Sequence, residues 1–462
     1  MKFKSLFICA AIMSTTFAAC SSDSDSDFDG DNGGNGGDKV PTTEISGNVE
    51  GTWEANSVIK VSGHIVVPEG KTLTIKEGVQ VIFSDNGVGV NHVPIEFTVN
   101  GNLYCEGTAE NPVLLSVDES KRTAENTFAG LWGGIVASET CGEMVIDHTI
   151  IEYTGGQVKE GSPAATNGVY EAGDDAYPQI TTNNINGKYV VTNSILRNGW
   201  SDGIYLMGGN AIIANNTFAA NGYDGAEAVN VKAGCVVDVA NNVMFSPNTN
   251  GLKLSSSGQS DTRAMAKIQA YNNTIINAGW RRDGEKGGCI YVEKNALANV
   301  FNNLIVNCKF RAMTPSFEIP NNPEEGYNDQ SVIDYNYYAS GSQKSDIVYE
   351  EETGVAYAWQ GYNFDHENYN KGVVDANSVI ATENDSKDPM FVNYDINGVA
   401  LTGYIYDNNW DFHLKAGSPA LNGAYNGSES KMAPYFINGL TVNGKKYTSP
   451  AAQPYFGAFG QN

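Results

Sequence analysis

The stretch from Val190 to Met313 decides the fold. It reads VVTNSILRNGWSDGIYLMGG (190–209), AIIANNTFAANGYDGAEAVNVKAG (211–234), VVDVANNVMFSPNTNGLKLSSSG (236–258), KIQAYNNTIINAGW (267–280) with GGCIYVEKN (287–295), and LANVFNNLIVNC (297–308). In each phrase an alternating apolar run meets an Asn pair, continues through a second short apolar run, turns at Asn or Gly, and enters another alternating run. The pairs are Asn215-Asn216, Asn241-Asn242, Asn272-Asn273 and Asn302-Asn303, so the second Asn recurs after 26, 31 and 30 residues. Self-similarity at such periods marks a stack of supersecondary units.

Side chains alternate with period two inside each run, which is the periodicity of strands, and the turn residues leave no room for helices. The fold class that follows is all-β: a single-stranded, right-handed parallel β-helix. Each coil pairs with those above and below at about 4.8 Å, burying an inward column that one repeat could not make alone. An Asn at the same turn of successive coils can donate to and accept from its neighbours, so the Asn pairs read as a structural ladder.

Working outward to the start, residues 1–19 carry Lys2 and Lys4, an apolar run from Leu6 to Met13, and small residues before Cys20. This resembles a bacterial lipoprotein signal, with Phe17 where such signals usually have Leu. The resemblance implies cleavage before Cys20 and its lipidation. Residues 20–44 begin SSDSDSDFDGDNGGNGGD after the cysteine, too polar to support order, and form a tether. An acidic run directly behind the lipidated cysteine resembles the signal that sends lipoproteins to the outer face of the outer membrane, so the expected location is lipid-anchored and facing the exterior. The segment from Asp25 opens like a calcium loop, but Gly36 stands where a bidentate Glu is needed.

Loss of the leader takes the formal charge from −25 to −27. Polyanions are repelled by such a surface, which excludes nucleic acid as a partner. Contact with membrane is expected through the N-terminal lipid only, and the chain is expected to be a monomer. The five cysteines beyond Cys20 lie far apart without metal-ligand spacing, and read as buried small hydrophobes or isolated thiols, with one disulfide between neighbouring coils left open.

The folded part is expected to run as a β-helix over 45–340, followed by a final coil and C-terminal cap over 341–462. Its opening holds GKTLTIKEGV (70–79), VNGNL (99–103) and GTAENPV (107–113). These phrases resemble the first coils of secreted parallel β-helix proteins of the pectate lyase-like superfamily. The resemblance speaks for fold and not for chemistry, because that scaffold carries many functions. Polar excursions interrupt the repeat at 154–189 and after Met313. The segment from Asn408 to Ala424 and the final FGAFG (456–460) resemble the closing signature of the same proteins and imply a cap over the last coil.

Taking Ile204, Val229, Leu252 and Ile290 as inward anchors places Tyr205, Asn230, Lys253 and Tyr291 in one outward column, and Met207, Lys232, Ser255 and Glu293 in the next. Asp202 and Glu227 stand two residues before their anchors. Trp200, Tyr223 and Trp280 lie in the preceding turns, with Arg282 close by. Flat aromatic faces with charged and amide groups suit a sugar polymer. The plain alternative is a set of solvated residues on an acidic surface. The aspartate pair Asp174-Asp175 appears without the other motifs of polygalacturonase-like hydrolases. Pectate lyase-like enzymes set calcium-binding acids and a basic residue on adjacent coils, which implies Asp202 and Glu227 as calcium ligands and Lys253 as a base of depressed pKa. Three readings stand: a surface lipoprotein that binds or processes extracellular glycan, a calcium-assisted polysaccharide lyase, and a structural or adhesive surface protein.

Overall fold

The computed structural model describes residues 42–462, apart from 174–175, 284–287, 310–311, 316–323, 343–348, 351–354, 357–373 and 383. Cys20 and most of the tether therefore lie outside the described residues, as do Asp174 and Asp175. Among the described residues the only α-helix is Pro163–Thr166. Nearly everything else that is regular is strand.

The chain winds as a right-handed parallel β-helix with three faces per coil. The strands Ile204–Leu206, Glu227–Val231, Asn250–Ser255 and Ile290–Glu293 pair in succession on what is here called the open face. A second face is a stack of ten parallel strands from Gly51–Trp53 to Val332–Ile333. A third face carries strands such as Thr217–Asn221, Val243–Phe245, Thr274–Ile276 and Leu304–Val306. The long strand Val58–Val67 turns a corner, pairing with Gln80–Phe83 by its first half and with Phe97–Val99 by its second. The inward anchors Ile204, Val229, Leu252 and Ile290 are fully buried, as are Val231, Leu254 and Val292. Their alternation with outward side chains is what period two requires.

The Asn pairs divide their labour. The first of each pair takes positive φ, at +60°, +56°, +50° and +56° for Asn215, Asn241, Asn272 and Asn302, a backbone state that Asn tolerates better than most residues. The second forms the ladder. Nδ2 of Asn216, Asn242, Asn273 and Asn303 donates to Oδ1 of the next ladder residue at 3.0, 2.9, 2.9 and 3.0 Å, ending on Asn336. The same Nδ2 groups also donate to the carbonyls of Val191, Ile213, Val239 and Ala270. All five amides are buried and multiply hydrogen-bonded, which is how a polar column survives in a core.

Cys289 and Cys308 form a disulfide, while Cys105, Cys141 and Cys235 are free and buried. The bond joins the start of an open-face strand to the turn of the next coil.

The C-terminal signature differs from its expected role. Phe391–Asn393 and Asp411–Leu414 pair antiparallel, and this unit with Phe456 packs against the outward side chains Phe245, Ile276, Leu304, Val306 and Tyr337 of the third face. A hairpin, Leu440–Val442 with Lys445–Tyr447, covers Val145, Val190 and Ile212 on the second face. The residues from Asn408 to Ala424 and Phe456 to Gly460 therefore lie along the flanks of the solenoid and not over its end. The physical reason is outward apolar surface on two faces, which a cap on the last coil would leave in water. Polar staples hold the extension in place. Buried Asp238 accepts hydrogen bonds from the Tyr435 and Phe436 amides and the Ser449 hydroxyl at 3.0, 2.9 and 2.6 Å. Asn272 and Asn302 exchange hydrogen bonds with Gln453, Tyr455 and Tyr425.

Candidate functional site

On the open face the register places Thr181, Tyr205, Asn230, Lys253 and Tyr291 side by side on successive strands. The column read from the sequence is thus present, and Ser255 and Glu293 pair beside it. Tyr205 and Tyr291 each sit beneath a lysine: Lys232 Nζ lies 5.3 Å from the Tyr205 ring and Lys253 Nζ 5.8 Å from the Tyr291 ring, within cation–π range. Lys253 also approaches Glu293 at 3.6 Å, and Glu293 accepts from the Ser255 hydroxyl at 3.1 Å.

Asp202 and Glu227 meet at the upstream edge of the column, but not as the exposed carboxylates expected. Their exposures are 6% and 7%, and that of Asn230 is 4%. The Glu227 amide donates to Asp202 at 2.5 Å; Asn230 Nδ2 reaches Asp202 at 3.3 Å and Glu227 at 3.1 Å; Asn250 Nδ2 donates to Glu227 at 3.0 Å. Burial, then the neighbouring Glu227 charge and the hydrogen bond between the two side chains, hold the Asp202 carboxyl well above the usual carboxylate range. Asp202 and Glu227 thus form a buried carboxyl dyad.

The two lysines also depart from expectation. Burial opposes the charge on Lys253, but Glu227, Glu293, Tyr291 and Asp202 together raise its pKa, so it is held as a cation. The lysine with the depressed pKa is Lys232, lowered by burial and by the charge of Lys253. The assignment of Lys253 as the neutral base is therefore corrected: its carboxylate neighbours keep it protonated.

The remaining predicted residues lie in the turn that precedes the open-face strands. Trp200 stacks on Tyr223 with ring centroids 4.5 Å apart. Trp280 is spent on structure, its indole N–H donating to the Asn307 carbonyl at 2.6 Å, and Arg282 pairs with Asp224. Arg281 clamps stacked turns through the carbonyls of Gly222 and Ser246 at 2.6 and 2.7 Å.

The 154–189 excursion, which the sequence suggested as a wall of the groove, does border the column, though the residue that forms the wall was not named from sequence. The excursion after Tyr153 folds back so that the Tyr170 hydroxyl lies 2.6 Å from the Thr181 hydroxyl and its ring 6.4 Å from Tyr205. Buried Glu96 anchors that excursion by accepting from the Ala164 amide and the Tyr177 hydroxyl at 2.8 and 2.7 Å. Glu96 stands in the VPIEFTVN strand at an outward position, a charged residue inside an apolar run. That was the signal available.

Among the described residues no three His, Cys, Asp or Glu side chains converge as a metal site. A hard cation here would be held by the carboxylates of Asp202 and Glu227, in place of the Asn230 and Asn250 amide N–H donors that now face them. Paired carboxylates suit calcium, and the buried Asn230 Oδ1 has no hydrogen-bond partner within the protein, so that amide can turn its oxygen toward a cation.

Residues 44–166 match a family model described as a pectate-lyase like beta helix domain. The chain is a parallel β-helix similar to that domain. No curated protein sequence matches it. Among solved structures, a mutant of the PL6 family alginate lyase AlyGC aligns at 13% identity over 81% of this chain and 57% of that one, with a TM-score of 0.22. This chain spans little more than half of that structure, and at that score the likeness carries no argument about site or substrate.

Proposed function

We propose that the protein binds or processes an extracellular polysaccharide along its open face, held at the outer membrane surface by a lipid on Cys20. The observation that carries this reading is the column Tyr205, Asn230, Lys253 and Tyr291 beside the Asp202–Glu227 dyad, walled by Tyr170. Rings spaced along a strand stack suit successive pyranose faces, and a lysine held charged suits a sugar carboxylate. An acidic sugar overcomes the protein's overall negative charge only where such cations are clustered. A glycan array with uronate-containing and neutral oligosaccharides tests the reading: the expected result is binding that Lys253→Ala weakens, and binding indifferent to Lys253 contradicts it.

A second reading, a polysaccharide lyase, is favoured by Lys232. An amine with depressed pKa can take the proton on C5 of a uronate; the C4–O bond then breaks, the C4=C5 double bond forms, and the departing oxygen takes a proton from solvent water. Calcium held by Asp202 and Glu227 would neutralise the sugar carboxylate. Ultraviolet absorbance of unsaturated uronate ends decides between the two readings, with Lys232→Ala abolishing it and a chelator lowering it if the lyase reading holds. Binding without any such product leaves a glycan-binding protein. The adhesive alternative predicts a smooth solenoid, which the Tyr170 wall does not support.

A further inference from the structure

Upstream of the charged column, on the same corner of the solenoid, the turns enclose a cleft of about 550 Å³, within the usual range of small-molecule sites of roughly 300–1,000 Å³. Its walls come from separate parts of the chain: the loop bearing Asp85 and His92, the Ala129–Leu131 turn, the Gly155–Lys159 segment, and Trp200. Gly155 takes φ +97°, and a Cβ there would fall 2.6 Å from the Trp200 amide, so the indole's place depends on that glycine.

The polar groups of this cleft are set for one kind of ligand. His92 Nδ1 lies 2.7 Å from the Asn86 carbonyl, which can only accept, so Nδ1 carries a proton and Nε2 is the acceptor of the neutral ring. The backbone of that histidine is held in turn, because Lys159 Nζ donates to the Asn91 and His92 carbonyls at 3.2 and 3.1 Å. Gln157 gives its amide N–H to the Gly173 carbonyl at 2.9 Å, which leaves Oε1 as an acceptor, and Asp85 is paired with Lys121 at 2.7 Å. The cleft therefore presents acceptors, while its lysine and that of Asp85 are already engaged. Hydroxyl donors fit this arrangement and carboxylates do not.

An aromatic step continues from the cleft. Trp200 stacks on Tyr223, Tyr223 meets Phe128 at 5.7 Å, and Phe128 meets Tyr404 of the C-terminal extension at 5.2 Å. Arg281 lies 4.6 Å over the Phe128 ring and fixes its plane. Tyr223 is 54% exposed, an unusual state for a ring that is also stacked.

We infer that the Asp85–His92–Gln157 cleft with the Trp200–Tyr223–Phe128–Tyr404 step is a subsite for a neutral hexopyranose or pentopyranose unit, distinct in chemistry from the cationic column. The inference rests on the glycan reading of the open face and narrows it: the ligand is a heteropolysaccharide in which a neutral sugar adjoins an acidic one. Trp200 and Asp202, two residues apart, join the two subsites.

The test titrates the mature chain with neutral gluco-, galacto-, manno- and xylo-hexaoses and with uronate oligosaccharides, by calorimetry and by tryptophan fluorescence, with Trp200→Phe assigning the signal. A neutral hexaose binds and perturbs Trp200 emission; Tyr223→Ala and His92→Ala, both at exposed side chains, each weaken it roughly tenfold, and His92→Ala leaves uronate affinity unchanged. Failure of every neutral hexaose to bind, or binding unchanged in both variants, overturns the subsite. If instead Lys253→Ala leaves uronate binding unaltered, the charged column fails and the neutral subsite stands by itself.

Discussion

Two faces of one solenoid have the same inward chemistry and opposite outward chemistry. On the third face the outward residues Phe245, Ile276, Leu304 and Val306 are apolar, and the C-terminal extension covers them. On the open face the outward residues at the same coils are Asn230, Lys253 and Tyr291, and no described part of the extension reaches them. The difference teaches that the extension is shaped by what the solenoid leaves apolar, and that its described residues pack away from the face carrying convergent charge. Covering the part-exposed Lys253 would cost desolvation that an apolar strap could not repay.

That contrast can be broken first within one strand. Leu254 points inward and Lys253 outward, so Leu254→Asp is expected to cost about 4 kcal/mol or more by burying an unpaired charge, against less than about 1 kcal/mol for Lys253→Ala. Chemical denaturation of both variants measures the gap. Next is the ladder: Asn273→Ala removes two donors and an acceptor from a buried column and should cost about 2–4 kcal/mol, read as a lowered Tm.

Detaching the strap is a smaller effect. Asp238→Ala orphans two amides and a hydroxyl, so about 2 kcal/mol of stability is lost locally, and limited proteolysis should cut in the 430–450 region while the strand spectrum persists.

The smallest effect is a pH dependence at the dyad. The folded state holds Asp202 above its ordinary value of about 3.9, so it favours the protonated form; that contribution is fully present below the ordinary value and is lost as pH rises through the raised one. Relative to Asp202→Asn, the wild type should lose Tm as pH increases over that window and then stay level. A constant difference across the window would show that folding does not raise the Asp202 carboxyl.

How much of this was legible follows from which contacts are periodic. The inward anchors, the Asn ladder and the Tyr205–Asn230–Lys253–Tyr291 column repeat at fixed offsets, so period two and the Asn spacing were enough to place them. Burial of Asp202 and Glu227 was not legible, because it depends on the Asn230 amide of Glu227's own strand and the Asn250 amide of the next one closing over them. The strap's location had a signal that the expectation of an end cap did not use: VMF and LIV are continuous apolar runs and TII ends in two apolar residues, the pattern of strands buried on both sides. Phe128, Tyr170 and Tyr404 had no periodic signal at all, since loops and the extension deliver them from outside the repeat.

The central claim is that the open face is the glycan face. Hydrogen–deuterium exchange with and without a bound oligosaccharide tests it most directly, because it reports protection strand by strand. The account predicts added protection in 204–206, 227–231, 250–255 and 290–293, with none in the second-face strands 235–240 and 267–271. Protection confined to the second or third face would contradict it.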